Sequence, residues 1–163
     1  MGTIIVATDG SQAAASAATA GFELAAQTGD EIMIVVIRDP IYRAGGYPFA
    51  YYDAHFLDEY LERAERILEA AIDQAAMHGI AAAGMVRNGD PAAEICALAG
   101  ELNARMIVVG THGWGPLRTL LLGSVASGVL QSAPCPVLCG APDSNQPAIA
   151  TDPRLEAAVA RPG

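Results

Sequence analysis

Apolar residues in this chain do not alternate singly with polar ones. They come in short blocks separated by longer amphipathic stretches. TIIVAT (residues 3–8), EIMIVVIR (31–38), RMIVVG (105–110) and PVLCG (136–140) are largely apolar and rich in β-branched residues. Blocks of that length predict strands covered on both faces, because a half-solvated strand would alternate. A weaker block, IAAAGMVRNG (80–89), predicts the third of five strands in chain order. The stretches between them read as helices. An Ala-rich segment runs from Ser11, a candidate N-cap, to about Thr28. Residues 53–78 set Glu62, Arg63, Glu65, Arg66 and Glu69 among apolar positions at helical spacing, with Gly79 as the stop. Asp90 and Pro91 supply an N-cap and a first helical position for a helix reaching about Leu102. A last short helix is expected over 124–133.

Strands and helices in alternation predict a single doubly wound α/β domain, with a parallel sheet and helices on both faces. The length, 163 residues, suits one domain with a sizeable core. We expect that domain to span residues 1–140. The remainder, 141–163, is rich in Pro, Ala and Asp and is expected to be a flexible tail, its one helical pattern lying over 153–160. Residues 39–56 form a long loop packed with Tyr, Phe, Gly and Pro. It is expected either to pack on itself or to cover a cleft or an oligomer surface. In an open parallel sheet, ligands bind beyond the carboxyl ends of the strands, where strand order reverses. The ends of the first and fourth strands, at Asp9 and Gly110, are therefore the places to look.

Charge narrows the chemistry. A net charge of −9 argues against general nucleic-acid binding, which needs a basic face. It leaves room for small anions held by backbone N–H groups. The chain has no lysine, and its nine Lys/Arg residues are all arginine. A Walker A loop and a Schiff-base site both require lysine, so neither can exist here. No apolar run reaches the roughly 18 residues of a membrane span. The N-terminus lacks a basic region and cleavage pattern, so the expected location is the cytoplasm. Cys96, Cys135 and Cys139 have no metal spacing and read as reduced structural thiols. His55, His78 and His112 are dispersed and form no zinc or triad pattern.

The most informative stretch is GTHGWGPLRTLLLGS, residues 110–124, directly after the apolar run MIVV. Its glycines have the spacing G-x2-G-x9-G-S, ending at Gly123-Ser124. Two readings stand at this point: a tight turn, or a backbone that must come close to a ligand. A helix opening at Ser124 would point free N–H groups and its positive dipole end toward the loop. Such a site could hold an anion without lysine. Ser124 serves equally as a simple N-cap, and Asp9 equally as a turn former or as an acceptor for a ribose or base edge.

Five fragments, IIVATDGS (4–11), GDPAAEI (89–95), MIVVGTHGWG (106–115), LLGSVASGVL (121–130) and APCPVL (133–138), resemble the universal stress protein family in order and distance. The resemblance covers about residues 2–140. It implies a five-stranded sheet of order 3-2-1-4-5 and, through the glycine motif, ATP binding. Position by position it implies that Ala7, Thr8 and Asp9 meet the adenosine and that Val36 packs on the adenine. Val109, Gly110, His112 and Gly113 would surround the ribose and phosphates. Gly123, Ser124 and Val125 would hold the phosphates, with a divalent ion such as Mg or Mn bridging them. It further implies a homodimer through the last strand, 136–140. Three positions depart from the family pattern. Arg105 replaces a frequent acidic residue and is expected to be a surface matter. Trp114 replaces a small or polar residue, and Arg118 is the only basic residue between Gly110 and Ser124.

No acid, base and nucleophile set is legible, so a binding and signalling module is expected rather than an efficient enzyme. Two alternatives stay open: a nucleotide-dependent enzyme of related fold, and a partner-binding module that takes no nucleotide.

Overall fold

The computed structural model describes residues 1–39, 54–111 and 122–142, without the side chains of 54–57 and 59. The elements are β1 (Thr3–Ala7), α1 (Gln12–Thr28), β2 (Glu31–Arg38), α2 (Ala54–Met77), β3 (Ala82–Asn88), α3 (Pro91–Glu101), β4 (Met106–Gly110), α4 (Ser124–Ser132) and β5 (Val137–Gly140). All strand pairs are parallel and the sheet order is β3-β2-β1-β4-β5. The register sets Val6 beside both Ile34 and Val108. The five strands, their order and the helices between them agree with the sequence reading.

The unbroken apolar strands are explained by two cores. One face of the sheet carries Ile4, Val6, Ile32, Ile34, Val36 and Val108 under α1 and α2. The other carries Ile5, Ala7, Val35, Ile107 and Val109 under α3 and α4. Successive residues of one strand thus enter opposite cores, and both must be apolar. The central residues Ile4, Ile5, Val6, Ile34, Val35, Ile107 and Val108 are wholly inaccessible to solvent. At about 25 cal/mol per Å² of apolar area, each such side chain contributes roughly 1.5–3 kcal/mol to folding before entropy is counted.

Both predicted caps form. The Ser11 hydroxyl accepts from Ala14 N at 3.3 Å, and the Asp90 carboxylate accepts from Ala93 N at 3.0 Å. α4 differs from expectation. Its N-cap is Gly123, and Ser124 is the first helical residue rather than the cap. A cap must hold non-helical backbone, and Gly123 takes that place with φ −58 and ψ 158.

Arg105 is exposed, as expected, and it also makes a specific ion pair. Its guanidinium lies 2.6 Å from the carboxylate of Asp30, whose side chain is 1% exposed. The same carboxylate accepts from Thr28 Oγ1 and from Gly2 N, both at 2.7 Å. The Thr28 hydroxyl first, then the Gly2 N–H, hold the Asp30 carboxyl below the usual carboxylate range, against the opposing effect of burial. Arg105 acts in the same direction. The cluster ties the start of β1 to the end of α1 and the approach to β4, at the amino ends of these strands.

Candidate functional site

The four crossovers split at the centre of the sheet. α1 and α2 lie on one face and α3 and α4 on the other, so the chain reverses direction between β1 and β4. Above that boundary, at the carboxyl ends of the strands, lies a cleft of about 240 Å³. Its polar side is built by Thr8 and Asp9 after β1, Gly110 and Thr111 after β4, and Gly123 before α4. Its apolar side is built by Val35 and Ile37 of β2, Pro91 and Ile95 of α3, and Val125 and Ala126 of α4. Ala7, Ala14 and Val109 complete the lining.

The turn after β1 is fastened by its own side chains. Thr8 Oγ1 accepts from Gly10 N at 3.1 Å, and Asp9 Oδ1 accepts from Ser11 N at 2.9 Å. With the Ser11 cap, these bonds consume the N–H groups of Gly10, Ser11 and Ala14. Gly10 stands at φ +80, where a Cβ would be strained and would meet Ile67 of α2 at 3.2 Å. The turn therefore uses these three N–H groups within itself, and Thr8 and Asp9 line the cleft.

The start of α4 is the opposite case. Gly123 gives no side-chain cap, and its own N–H donates to Thr111 O at 2.7 Å. Among the described residues, nothing accepts from the N–H groups of Ser124, Val125 and Ala126. Of the three helix starts that reach the cleft, α1 and α3 are capped by carboxylate or hydroxyl oxygen and α4 is not. Among the described residues, these three unshared N–H groups at the positive end of a helix dipole make an anion-seeking corner of the cleft.

Seven of the residues expected at a ligand, Ala7, Thr8, Asp9, Val109, Gly110, Gly123 and Val125, line the cleft. Ser124 does not line it, although its backbone opens α4. Val36 belongs to the opposite face: it is 3% exposed in the core beneath α1 and α2. A strand turns over at every residue, so the neighbours Val35 and Ile37 reach the cleft in its place. His112, Gly113, Trp114 and Arg118 lie outside the described residues, as do most of loop 39–56 and all of the tail beyond residue 142. Reasoning from sequence missed the α3 wall, Pro91 and Ile95. The signal was present, because a helix that opens at Pro91 next to the strand ends must present its first turn there.

Gly110 has a reason unconnected with ligand. A Cβ on it would lie 2.7 Å from Ala14 N and 2.9 Å from Ala13 C, so the backbone of α1 occupies that space. The close approach anticipated from the glycine is to the first helix. Among the described residues, no three His, Cys, Asp or Glu side chains converge to hold a metal. The three thiols are half-buried, unbonded to one another, and pushed up in pKa by burial. No described helix is long and apolar enough to cross a membrane.

A doubly wound parallel sheet with a cleft over its reversal point defines an α/β protein of the kind that takes ligand at the strand ends. The chain belongs to the universal stress protein family, whose model matches residues 1–139. It is 36% identical over 141 residues to the universal stress protein YxiE of Bacillus subtilis, covering 83% of this chain and 95% of that one. A solved universal stress protein in complex with cAMP superposes with a TM-score of 0.66 at 27% identity, covering 87% of this chain and 98% of the other. The Archaeoglobus fulgidus universal stress protein in complex with dAMP gives a TM-score of 0.57 at 25% identity, covering 86% and 97%.

Proposed function

We propose that this protein holds an adenine nucleotide in the cleft and acts as a binding and signalling module. The observation that carries the reading is the division of the cleft into an apolar slot and an uncapped helix start. A flat, largely apolar base suits the slot of Val35, Ile37, Pro91 and Ile95. A phosphate suits the N–H groups of Ser124, Val125 and Ala126, which need an acceptor. Asp9 lines the same cleft, and its carboxylate can accept from ribose hydroxyls. The cAMP and dAMP complexes of related proteins support an adenine nucleotide as the ligand.

ATP is the ligand we assign, with His112 and Gly113 joining the phosphate cradle. A divalent ion such as Mg or Mn would then be held by phosphate oxygens and water, which is how small hard cations usually travel with nucleotides. The bound phosphates would supply most of its ligands. The domain responsible is residues 1–140, and the copies are expected to pair through β5, whose outer edge is open in the sheet order. A cytoplasmic location fits these roles.

The test is direct. Freshly purified protein is heat-denatured and the supernatant chromatographed against ATP, ADP and AMP. About one nucleotide per chain, lost in Asp9→Ala and Gly113→Val, supports the reading. If none is released, and added ATP does not raise the melting temperature as linkage requires, the reading fails. A turnover above roughly 1 per second would overturn the view that the chain is not an efficient ATPase.

A further inference from the structure

α4 carries a glycine in its interior, at Gly128. A glycine there is less stable than alanine, because its backbone loses more freedom on folding. The position has a packing reason. A Cβ on Gly128 would lie 2.7 Å from the Cβ of Ala92 in α3, whereas ordinary contact begins at 3.4 Å. Among the described residues, no other part of the fold comes within 4 Å of that point. Alanine has no side-chain torsion with which to turn aside. An alanine at 128 would therefore have to part the two helices by several tenths of an ångström.

The contact lies within one turn of the cleft on both helices. Ala92 stands between Pro91 and Ile95, which line the cleft from α3. Gly128 follows Val125 and Ala126, which line it from α4. Away from the cleft the seam is filled: Ile95, Leu98 and Ala99 share one core with Ala126 and Val129, and Cys96 Sγ lies 3.9 Å from Val129 O. A close-packed seam transmits a displacement rather than absorbing it. The spacing at Ala92 and Gly128 therefore sets the spacing of the cleft walls. We propose that Gly128 is a positioning residue that determines specificity: by admitting Ala92 it draws α3 and α4 together and narrows the apolar slot to the size of an unsubstituted base. This rests on the nucleotide reading above and adds to it a selection by size, exerted by a residue that does not line the cleft.

The experiment is calorimetric titration of wild type, Gly128→Ala, Ala92→Gly and the exchange variant Ala92→Gly/Gly128→Ala. The ligands are AMP and two analogues with an enlarged base, one benzylated on the exocyclic amino group and one brominated on the five-membered ring. A gap of roughly 0.5–1 Å forfeits a quarter to a half of the attraction at a close contact. Gly128→Ala is therefore expected to bind AMP about fivefold more weakly, while at least one enlarged analogue gains relative to AMP. Ala92→Gly adds no atom, so it cannot fail by overpacking; it lets the helices close and should move the same ratio the other way. In the exchange variant the new Cβ has nothing to meet, so the wild-type ratio should return. A merely structural defect would weaken all three ligands alike and leave their ratios unmoved. Unmoved ratios in the folded single variants, or an exchange variant that keeps the ratio of Gly128→Ala, overturn the proposal while nucleotide binding stands. If wild type binds none of the ligands, the nucleotide reading itself fails and takes this one with it.

Discussion

Two glycines offer the same substitution with opposite expected signs. An alanine at Gly110 would put its Cβ 2.7 Å from Ala14 N, 2.9 Å from Ala13 C and 3.0 Å from Ala14 Cα. Ordinary contact begins at about 3.4 Å, so the α1 start must retreat by several tenths of an ångström. All three atoms belong to the backbone, which is anchored by the Ser11 cap and by the turn after β1. Overpacking of this kind costs about 1–3 kcal/mol. In a domain of this size each kcal/mol shifts the melting temperature by about 2–4 °C, so Gly110→Ala should melt roughly 2–12 °C below wild type. Gly100, in α3, has no atom within 4 Å of where its Cβ would be. There alanine gains helix propensity, and Gly100→Ala should be more stable by about 0.5–1 kcal/mol. Denaturant midpoints for both variants, with unchanged slopes, are the assay. A Gly110→Ala midpoint equal to wild type would refute the close approach of β4 and α1, and with it the account of why a glycine ends that strand.

Val36 and Ile37 make a second paired test. Val36→Ala should lose about 2 kcal/mol of stability from the buried core yet leave nucleotide affinity of the folded protein unchanged. Ile37→Ala should weaken AMP binding about fivefold, since roughly 1 kcal/mol of apolar contact is removed; the reverse pattern in the two titrations would put the base on the other face. Asp30 predicts a pH dependence. Its folded pKa lies below the ordinary 3.8, so its stabilising effect is full above that value and is lost as pH falls through the folded one. Asp30→Asn should therefore lower the melting temperature at neutral pH and flatten its fall below about pH 4; an unchanged acid limb counts against the cluster. Burial raises the pKa of all three cysteines, so native protein at pH 7 should react with iodoacetamide well below the rate of the same protein in denaturant. Equal rates would show that the thiols are open to solvent.

The fold was legible because two independent patterns agreed. Apolar blocks without alternation required a sheet covered on both faces, and helical stretches of 9 to 24 residues between them supplied the covers. Caps at Ser11 and Asp90 could be read from residue type alone, because each is an oxygen-bearing side chain just ahead of an apolar helix. The cap of α4 could not, because Gly123 acts through backbone geometry and the neighbouring serine offers the same chemistry one residue later. Arg105 is at the surface, as expected, but its partner was not legible, for a related reason. Its partner Asp30 is 75 residues away in the chain, and only the pairing of β1 with both β2 and β4 brings the approaches to these strands together.

The site was legible in its strand ends and illegible in its facing. Motif matching places a residue at a position along a strand, but which core that residue enters depends on the pleat. Ala7 and Val109 were assigned to the cleft, and they share a face with Val35, not with Val36. The alternation along β2, carried from Ile32 and Ile34 to Val36, was already sufficient to turn the Val36 side chain away from the cleft once the face of α1 was known. The glycines carry the same lesson. Gly110 and Gly123 look equivalent in sequence, each a glycine at the end of an element beside the motif loop. One makes room for the backbone of α1, and the other leaves a helix start without a cap. Among the described residues only the second leaves N–H groups without an acceptor, so the proposed phosphate site rests on Gly123 and the packing of the sheet on Gly110.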